Sequence, residues 1–173
     1  MLDLRPPTPA DLTALVDLNN AAAPAMNRLP AQDLARLVDA AAWARVAVAG
    51  DAVVGGLVAL DGPGLDYESE NYAWFSGRYD AFLYVDRVVV STARRGAGIG
   101  SGLYRALLGH AEDVGHRVVC AEVNVRPANP GSLRFHHRHG FEPVGEQDTK
   151  GGTVRVRMLA REVGPAPMSG RAP

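Results

Sequence analysis

The stretch that decides the fold is VVVSTARRGAGIGSG, residues 88–102. It continues a run of β-branched and aromatic residues that begins at Phe82 and is typical of a strand, and it leads into a helical pattern. Gly96, Gly98 and Gly100 stand between these two elements. Their backbone N–H groups therefore lie unshielded by side chains at the positive end of a helix dipole. The spacing predicts a loop that binds a phosphate-like anion.

The details of this loop exclude the two most common phosphate-binding loops. A P-loop needs a Lys directly after its last glycine, and none is present. The glycine spacing also differs from the G-x-G-x-x-G of dinucleotide-binding folds. Neither ATP nor NAD is indicated, and a tight strand-to-helix turn without a ligand is the structural alternative.

Outward from the loop, hydrophobic periodicity predicts an α/β (α+β) domain with a mixed sheet and helices on both faces. The predicted strands cover residues 2–5, 46–49, 53–60, 82–90, 118–125, 141–144 and 154–163, and the predicted helices cover 31–42, 100–114 and 130–139 after a first helix that opens near Asp11. Residues 61–80 have neither periodicity and are interpreted as a long loop. We expect a single domain over residues 1–163 and a disordered tail over 164–173.

Composition bounds the class of protein. The 173 residues suit one domain, and 47% hydrophobic with 21% charged residues is an ordinary globular composition. Cys120 is the only cysteine, which excludes an intrachain disulfide and suits a reducing compartment. There is no run of about 18 apolar residues. We therefore expect a cytoplasmic protein, with no partner role for nucleic acid or membrane.

Charge is unevenly distributed although the formal net charge is only -1. Residues 61–90 contain six acidic residues and two arginines, whereas residues 91–140 contain seven arginines and three acidic residues. All five histidines also fall in the second region. Opposite potentials on one small domain predict one surface for an anion and another for a different ligand.

Two motifs together resemble those of the GNAT N-acetyltransferase superfamily. The segment from Val90 through Arg95 to Gly100 is similar to its acyl-CoA pyrophosphate loop, and the segment from Asn129 to Phe141 (NPGSLRFHHRHGF) matches a second family landmark at the expected distance. The order of predicted elements is similar as well. The resemblance implies a mostly antiparallel central sheet of about seven strands, with a V-shaped gap between the fourth and fifth strands.

The resemblance also implies acetyl-CoA as co-substrate. No metal is expected, because His136 and His139 could share a helix face but no clearly placed third ligand accompanies them. The residues it assigns to the cofactor are Val88 and Val90 through their backbone, Gly96, Ala97, Gly98, Ile99, Gly100 and Ser101 through their amides, Arg95 through its charge, and Asn129. A peptide-like pantetheine arm would satisfy strand groups that are otherwise unpaired. Asn129 has a compatible alternative role as the N-cap of the helix that begins at Pro130.

Three residues are candidates for catalysis. His136 holds a position where many family members have a Tyr that protonates the departing thiolate; the alternative is a packing or solvated histidine. Asp86 is the candidate base, because period two places it on the face of Val88 and Val90; the alternative is an ion pair with an arginine such as Arg87. Glu122 on the next strand is the second candidate base.

The acidic, aromatic segment 61–80 is predicted to overhang the acceptor. Its Tyr72, Trp74 and Phe75, with Asn124 from the following strand, are the candidate acceptor-binding residues, and the alternative is a packed loop that covers the sheet edge. The predicted function is acetyl transfer to an amine by direct attack, with a cationic acceptor that has an aromatic or apolar body. A non-catalytic acyl-CoA-binding or sensor module is the alternative, and a homodimer is left open.

Overall fold

The computed structural model describes residues 2–164 and contains seven strands and five α-helices in that range. The strands are β1 Leu2–Arg5, β2 Trp43–Ala49, β3 Ala52–Gly62, β4 Phe82–Val90, β5 Val118–Arg126, β6 Glu142–Thr149 and β7 Val154–Glu162, and the helices are α1 Leu12–Ala21, α2 Ala31–Ala40, α3 Glu70–Ser76, α4 Ile99–Asp113 and α5 Pro130–Arg138. The predicted tail lies, apart from Gly164, outside the described residues. The single-domain boundary at residue 163 stays a prediction.

The strands form one sheet in the order β1-β2-β3-β4-β5-β7-β6. All neighbouring strands are antiparallel except β4 and β5, which are parallel. This arrangement confirms the predicted mixed, mostly antiparallel sheet. β6 is longer than predicted, because the sequence pattern shows only its first half, up to Val144.

The parallel pair β4–β5 separates early. Only Leu83 pairs with Val119 and Tyr84 with Cys120, although β4 continues to Val90. Beyond these two pairs, the backbone groups that face the neighbouring strand have no ladder partner across the gap. The predicted V-shaped gap between the fourth and fifth strands is thus confirmed, and it opens at the C-terminal ends of both strands.

Side chains from the two faces of the sheet form two separate cores. α4 packs on one face, where alternate β5 residues Val119, Ala121 and Val123 are buried. α1, α2 and α3 cover the opposite face, where Cys120 is buried with Tyr84. Because successive strand residues point to opposite faces, Glu122 and Asn124 extend to the α1–α3 face.

A β-bulge in β4 changes the face on which its last residues lie. Val85 pairs with Ala59 and Arg87 with Val58, so Asp86 is an extra residue without a partner on β3. As a result Asp86 and Arg87 both extend to the α1–α3 face, whereas Val88 packs with the α4 core. The prediction that Asp86 shares a face with Val88 and Val90 is wrong, because the bulge interrupts the period of two.

The interpretation of residues 61–80 as a loop without regular structure is also wrong, because α3 lies within them. Ser69 caps this helix by accepting a hydrogen bond from the Tyr72 amide at 3.2 Å. Tyr72 and Phe75, one turn apart, are 3% and 0% exposed and belong to the core. Trp74 packs beside Gly145 of β6. These aromatic residues anchor α3 to the sheet.

Within residues 2–164, none of the helices is both long and apolar enough to cross a membrane.

Candidate active site

A cleft of about 1000 Å³ lies where β4 and β5 separate. Its walls include the last residues of both strands, the glycine loop and the start of α5 on one side, and the α1–α2 loop, the segment before α3 and the β6–β7 turn on the other. The cleft is therefore accessible from both faces of the sheet at the point where the ladder is interrupted.

The glycine loop forms one end of this cleft. Gly96 and Gly98 have φ values of 82° and 78°, a left-handed conformation that a side chain would strain. Gly98 is the N-cap of α4, so the amides of the first turn after it point out of the helix without an intrahelical partner. Arg95, Gly96 and Gly100 line the cleft directly. This end fits the pyrophosphate of a coenzyme A thioester through amides and positive charge.

The other predicted cofactor residues are placed near this loop. The Ile99 side chain is buried in the α4 core, which leaves only its amide for a ligand. The Ser101 hydroxyl lies 3.0 Å from the His139 ring. Asn129 lines the cleft and caps α5, accepting a hydrogen bond from the Ser132 amide at 3.2 Å. The cap role is therefore present, and it leaves the Asn129 amide group free to donate.

Glu122 is the carboxyl group at the centre of the cleft. Its Oε1 accepts a hydrogen bond from the Tyr84 hydroxyl at 3.0 Å, whereas Oε2 is buried and has no partner among residues 2–164. Burial, and next the negative charge of Asp86, raise the pKa of Glu122 to about 8, while the Tyr84 hydroxyl and the Asn71 amide act in the opposite direction. Glu122 thus has a free acceptor oxygen and a proton affinity suited to base catalysis near neutral pH.

Asp86 lies in the same cleft, but both of its carboxylate oxygens are occupied. Oδ1 accepts a hydrogen bond from the Tyr67 hydroxyl, and Oδ2 accepts one from Arg87 Nε at 2.9 Å. The two side chains of this ion pair are only 5% and 11% exposed. Arg87 also donates to the Asn19 side chain of α1. The ion-pair alternative is therefore what the structure contains.

His136 is 3% exposed and has a partner on both ring nitrogens. Nδ1 lies 2.8 Å from the Ser132 carbonyl, which can only accept, so Nδ1 carries the proton. Nε2, 2.7 Å from the Tyr104 hydroxyl, must then accept from it. Burial lowers the pKa of His136, which keeps the ring neutral. The ring has no unengaged proton to give to a leaving thiolate.

The end of the cleft on the α1–α3 face, where the sequence predicts the acceptor, differs from the prediction in its aromatic residues. Tyr72, Trp74 and Phe75 do not line it, whereas Asn124 does. Tyr67 and Met26 supply apolar surface instead, beside the exposed carboxylates of Glu68 and Glu70. Tyr67 belongs to the aromatic segment that the sequence places over the acceptor, whereas sequence reasoning missed Met26 as a wall residue, because a loop residue carries no periodic signal of the direction in which its side chain points.

Metal ligands are not clustered in the described part of the chain, where no three His, Cys, Asp or Glu side chains come together as a metal site.

A family model confirms the resemblance drawn from the two motifs. The model of the acetyltransferase (GNAT) family matches residues 13–141. The chain therefore belongs to the GNAT acetyltransferase family. No curated protein matches the chain.

Solved structures with the same fold cover nearly the whole chain. The NAA60 protein of Arabidopsis thaliana, solved with a bisubstrate analogue, has a TM-score of 0.74 at 20% identity and covers 96% of this chain and 100% of its own. The Salmonella typhimurium protein yncA, solved with its cofactor acetyl-CoA, has a TM-score of 0.72 at 18% identity and covers 99% of both chains. The ribosomal-protein-alanine N-acetyltransferase of Brucella melitensis has a TM-score of 0.69 at 23% identity and covers 93% and 99%. These likenesses show the fold.

Gly98→Ala is expected to weaken coenzyme A binding about tenfold or more, because the methyl group disfavours the left-handed conformation by about 1–2 kcal/mol and displaces the loop amides. Isothermal titration with coenzyme A measures the change. Gly109→Ala is the matched control: Gly109 lies inside α4, where a Cβ meets no atom within 4 Å. It should raise stability by about 0.5–1 kcal/mol and leave the dissociation constant unchanged. An unchanged dissociation constant in Gly98→Ala would contradict the assignment of the loop.

Tyr104→Phe and His136→Phe are each expected to lower the free energy of unfolding by about 1–3 kcal/mol, because each leaves a buried polar partner unsatisfied. The double variant should lose less than the sum of the two, since both polar groups are then absent. Urea unfolding measures these changes. Turnover should stay within about threefold in both single variants, whereas a kcat loss of about 10²-fold or more in His136→Phe would show that His136 is the general acid after all.

Proposed function

We propose that the protein is an acetyl-CoA-dependent N-acetyltransferase in which an amine attacks the thioester directly and Glu122 removes the proton of the amine. The observation that supports this best is the buried, unpartnered Oε2 of Glu122 at the point where the strands separate. An alkylammonium must lose a proton before it can act as a nucleophile, and a carboxylate with a raised pKa is suited to accept it.

The two substrates approach from opposite faces in this proposal. The glycine loop, Arg95 and the start of α5 hold the donor on the α4 face, and the backbone of Val88 and its neighbours, unpaired with β5, holds the pantetheine arm. Glu122 and Asn124 extend to the other face, where the acceptor enters. The gap between β4 and β5 lets the nitrogen reach the thioester carbon through the plane of the sheet.

Asp86 acts in this proposal by tuning Glu122 and not as the base. Both Asp86 oxygens are engaged by Tyr67 and Arg87, so neither is free to take a proton from the acceptor. Its negative charge lies near enough to Glu122 to raise the pKa of that carboxyl group. Asp86 is itself paired with Arg87, and both side chains of this ion pair are largely buried.

The acceptor class follows from the walls on the α1–α3 face. Glu68 and Glu70 supply negative charge, and Glu122 adds a further one when it loses its proton. Asp86 and Arg87 neutralise each other in their ion pair. Lys150 is a cation that also lines this end, where its Nζ donates to Asn27. Tyr67 and Met26 supply apolar surface at the same end. We propose a cationic primary amine with a compact apolar or aromatic body as the acceptor.

Glu122→Gln is expected to lower kcat by about 10²–10⁴-fold, because the proton of the amine then has no acceptor at the gap. Thiol release from acetyl-CoA, followed with a panel of primary amines, measures it. Glu112→Gln is the matched control, since Glu112 is an exposed carboxylate on α4 and its substitution should leave kcat unchanged.

For the parent protein, kcat/KM should rise with pH up to about 8, where Glu122 loses its proton.

Two further results separate this proposal from its alternatives. In Asp86→Asn the rising limb of kcat/KM should move to lower pH, because one cause of the raised pKa of Glu122 is removed.

Glu122→Gln should also have a higher free energy of unfolding than the parent above pH 8. A carboxyl group whose pKa is raised by folding stabilises the folded state at low pH, and this stabilisation is lost as pH rises through about 8. Equal kcat in Glu122→Gln and its control contradicts the role of Glu122. Acetyl-CoA binding without thiol release on any amine indicates the sensor module.

A further inference from the structure

Lys150 contacts two other walls of the cleft. It is the only lysine among 173 residues, and it lies in the turn between β6 and β7, where it lines the cleft. Its Nζ donates a hydrogen bond to Oδ1 of Asn27 in the α1–α2 loop. Its backbone amide donates to Oε2 of Glu70 at the start of α3, at 3.1 Å. Lys150 thus connects two walls of the acceptor end that are far apart in sequence, and we call this connection the arch.

The α1–α2 loop, which Lys150 contacts through Asn27, is itself hydrogen-bonded to residues at the bottom of the cleft. The Asn27 carbonyl accepts a hydrogen bond from Nδ2 of Asn19 at 2.9 Å, and Oδ1 of Asn19 accepts one from Arg87. Asn19 is 1% exposed, so this link is buried. The α1–α2 loop is consequently tied to the bulge of β4 at the residue that follows Asp86.

The start of α3, which Lys150 contacts through Glu70, is connected to the same bulge by other hydrogen bonds. Gln147 of β6 donates to Oδ1 of Asn71 in α3 at 2.7 Å, close to the contact between Glu70 and Lys150. Just before α3, the Tyr67 hydroxyl donates to Asp86. The first set of contacts therefore ends at Arg87, and the second reaches Asp86 through the chain between Tyr67 and α3. The arch lies on the α1–α3 side of the cleft, where the acceptor is proposed to enter.

The backbone at the top of the arch is held in an uncommon conformation. Lys150 has a φ of 52°, and in the described part of the chain it is the only residue other than glycine with a positive φ. Gly151 and Gly152 follow with φ values of 63° and 86°. A lysine in this conformation is strained relative to glycine, so the contacts of its side chain and amide must hold it there.

The register of the sheet gives the depth of the space beneath the arch. Glu122 pairs with Met158 of β7, and the strand begins four residues earlier at Val154, next to the turn that carries Lys150. At about 3.3 Å per residue, the arch stands about 13 Å from the level of Glu122. Val156 and Val154 line this interval. Its length suits a small molecule, whereas a polypeptide would have to extend beyond it and pass under the arch.

We propose that Lys150 determines acceptor specificity: the arch restricts the acceptor to compact amines and excludes polypeptide N-termini. The proposal rests on the N-acetyltransferase function proposed above and specifies its substrate class. The arch acts by steric exclusion of the larger acceptor. Specificity requires such an unfavourable interaction with the wrong substrate in addition to favourable contacts with the right one.

Two variants open the arch by removing the contact between Lys150 and Asn27, one from each partner, while the backbone amide at position 150 can still donate to Glu70. Lys150→Gly removes the Nζ donor and suits the positive φ, and Asn27→Ala removes the acceptor without altering the turn. Arg28→Ala is the matched control, because Arg28 is an exposed cation next to Asn27 and is not part of the arch. Phenethylamine and a lysine-free hexapeptide with a free N-terminus are the two acceptor probes.

Both opened variants are expected to raise kcat/KM for the hexapeptide about tenfold or more over the parent and over Arg28→Ala, with phenethylamine changed less than about threefold. Equal ratios of peptide to amine activity in all four proteins would overturn the proposal. Efficient acetylation of the hexapeptide by the parent would overturn it as well.

A binding measurement keeps the test independent of turnover. Fluorescence anisotropy of the dye-labelled hexapeptide with the coenzyme A complex should show binding to Lys150→Gly and Asn27→Ala and none to the parent or to Arg28→Ala. An amine-selective activated ester tests the same contact by chemical modification, because it acylates Lys150 and the N-terminal amine. The modified parent should bind the peptide. The same treatment of Lys150→Gly should not change its peptide binding. Equal peptide binding by parent and opened variants contradicts the arch, whereas absent turnover with every amine contradicts only the proposed function.

Discussion

The early end of the β4–β5 ladder is the constraint on which the rest of the structure depends. Two residue pairs, Leu83–Val119 and Tyr84–Cys120, hold the parallel strands together, and beyond them the sheet is open. Antiparallel pairing with β3 and β7 holds each strand on its other side, so the opening does not disrupt the domain. The opening joins two surfaces that a continuous sheet would separate, a glycine loop on one face and carboxyl groups on the other. In the proposed function, the uneven charge distribution along the chain corresponds to a donor face and an acceptor face.

On the α1–α3 face, the burial of Glu122 lowers the stability of the folded state, and other contacts offset part of this loss. Glu122 has a buried oxygen without a partner among the described residues, and such a group destabilises the folded state when it is ionised. Asp86 adds a second negative charge, which Arg87 compensates from the adjacent position because the bulge directs both side chains to one face. The bulge is therefore what allows neighbouring residues to form a buried ion pair. Local instability of this kind is typical of sites where a proton is moved.

Much of the fold was predictable from local pattern, whereas the site depended on features without a local signal. Alternating glycines, β-branched runs and the segment around Asn129 indicated the sheet, the anion loop and the family. The bulge at Asp86 was not predictable, because one extra residue leaves the composition of β4 unchanged and yet reverses the faces of every residue after it. α3 is short, and its signal was only the cap residue Ser69 with aromatic residues one turn apart. The contacts of His136 with Tyr104 depend on the packing of α5 against α4, which no spacing in either helix specifies.

The ionisation of Glu122 can be measured without any substrate, and it decides whether this residue can act as the base. Carbon-13 NMR of the side-chain carboxyl groups, with glutamate labelled and the signal assigned by its absence in Glu122→Gln, gives that ionisation without a substrate. We expect a midpoint near pH 8, since burial and the charge of Asp86 both oppose loss of the proton. A midpoint near the ordinary value of about 4.5 would show that the carboxyl group is solvated and would contradict the role of Glu122 as the base.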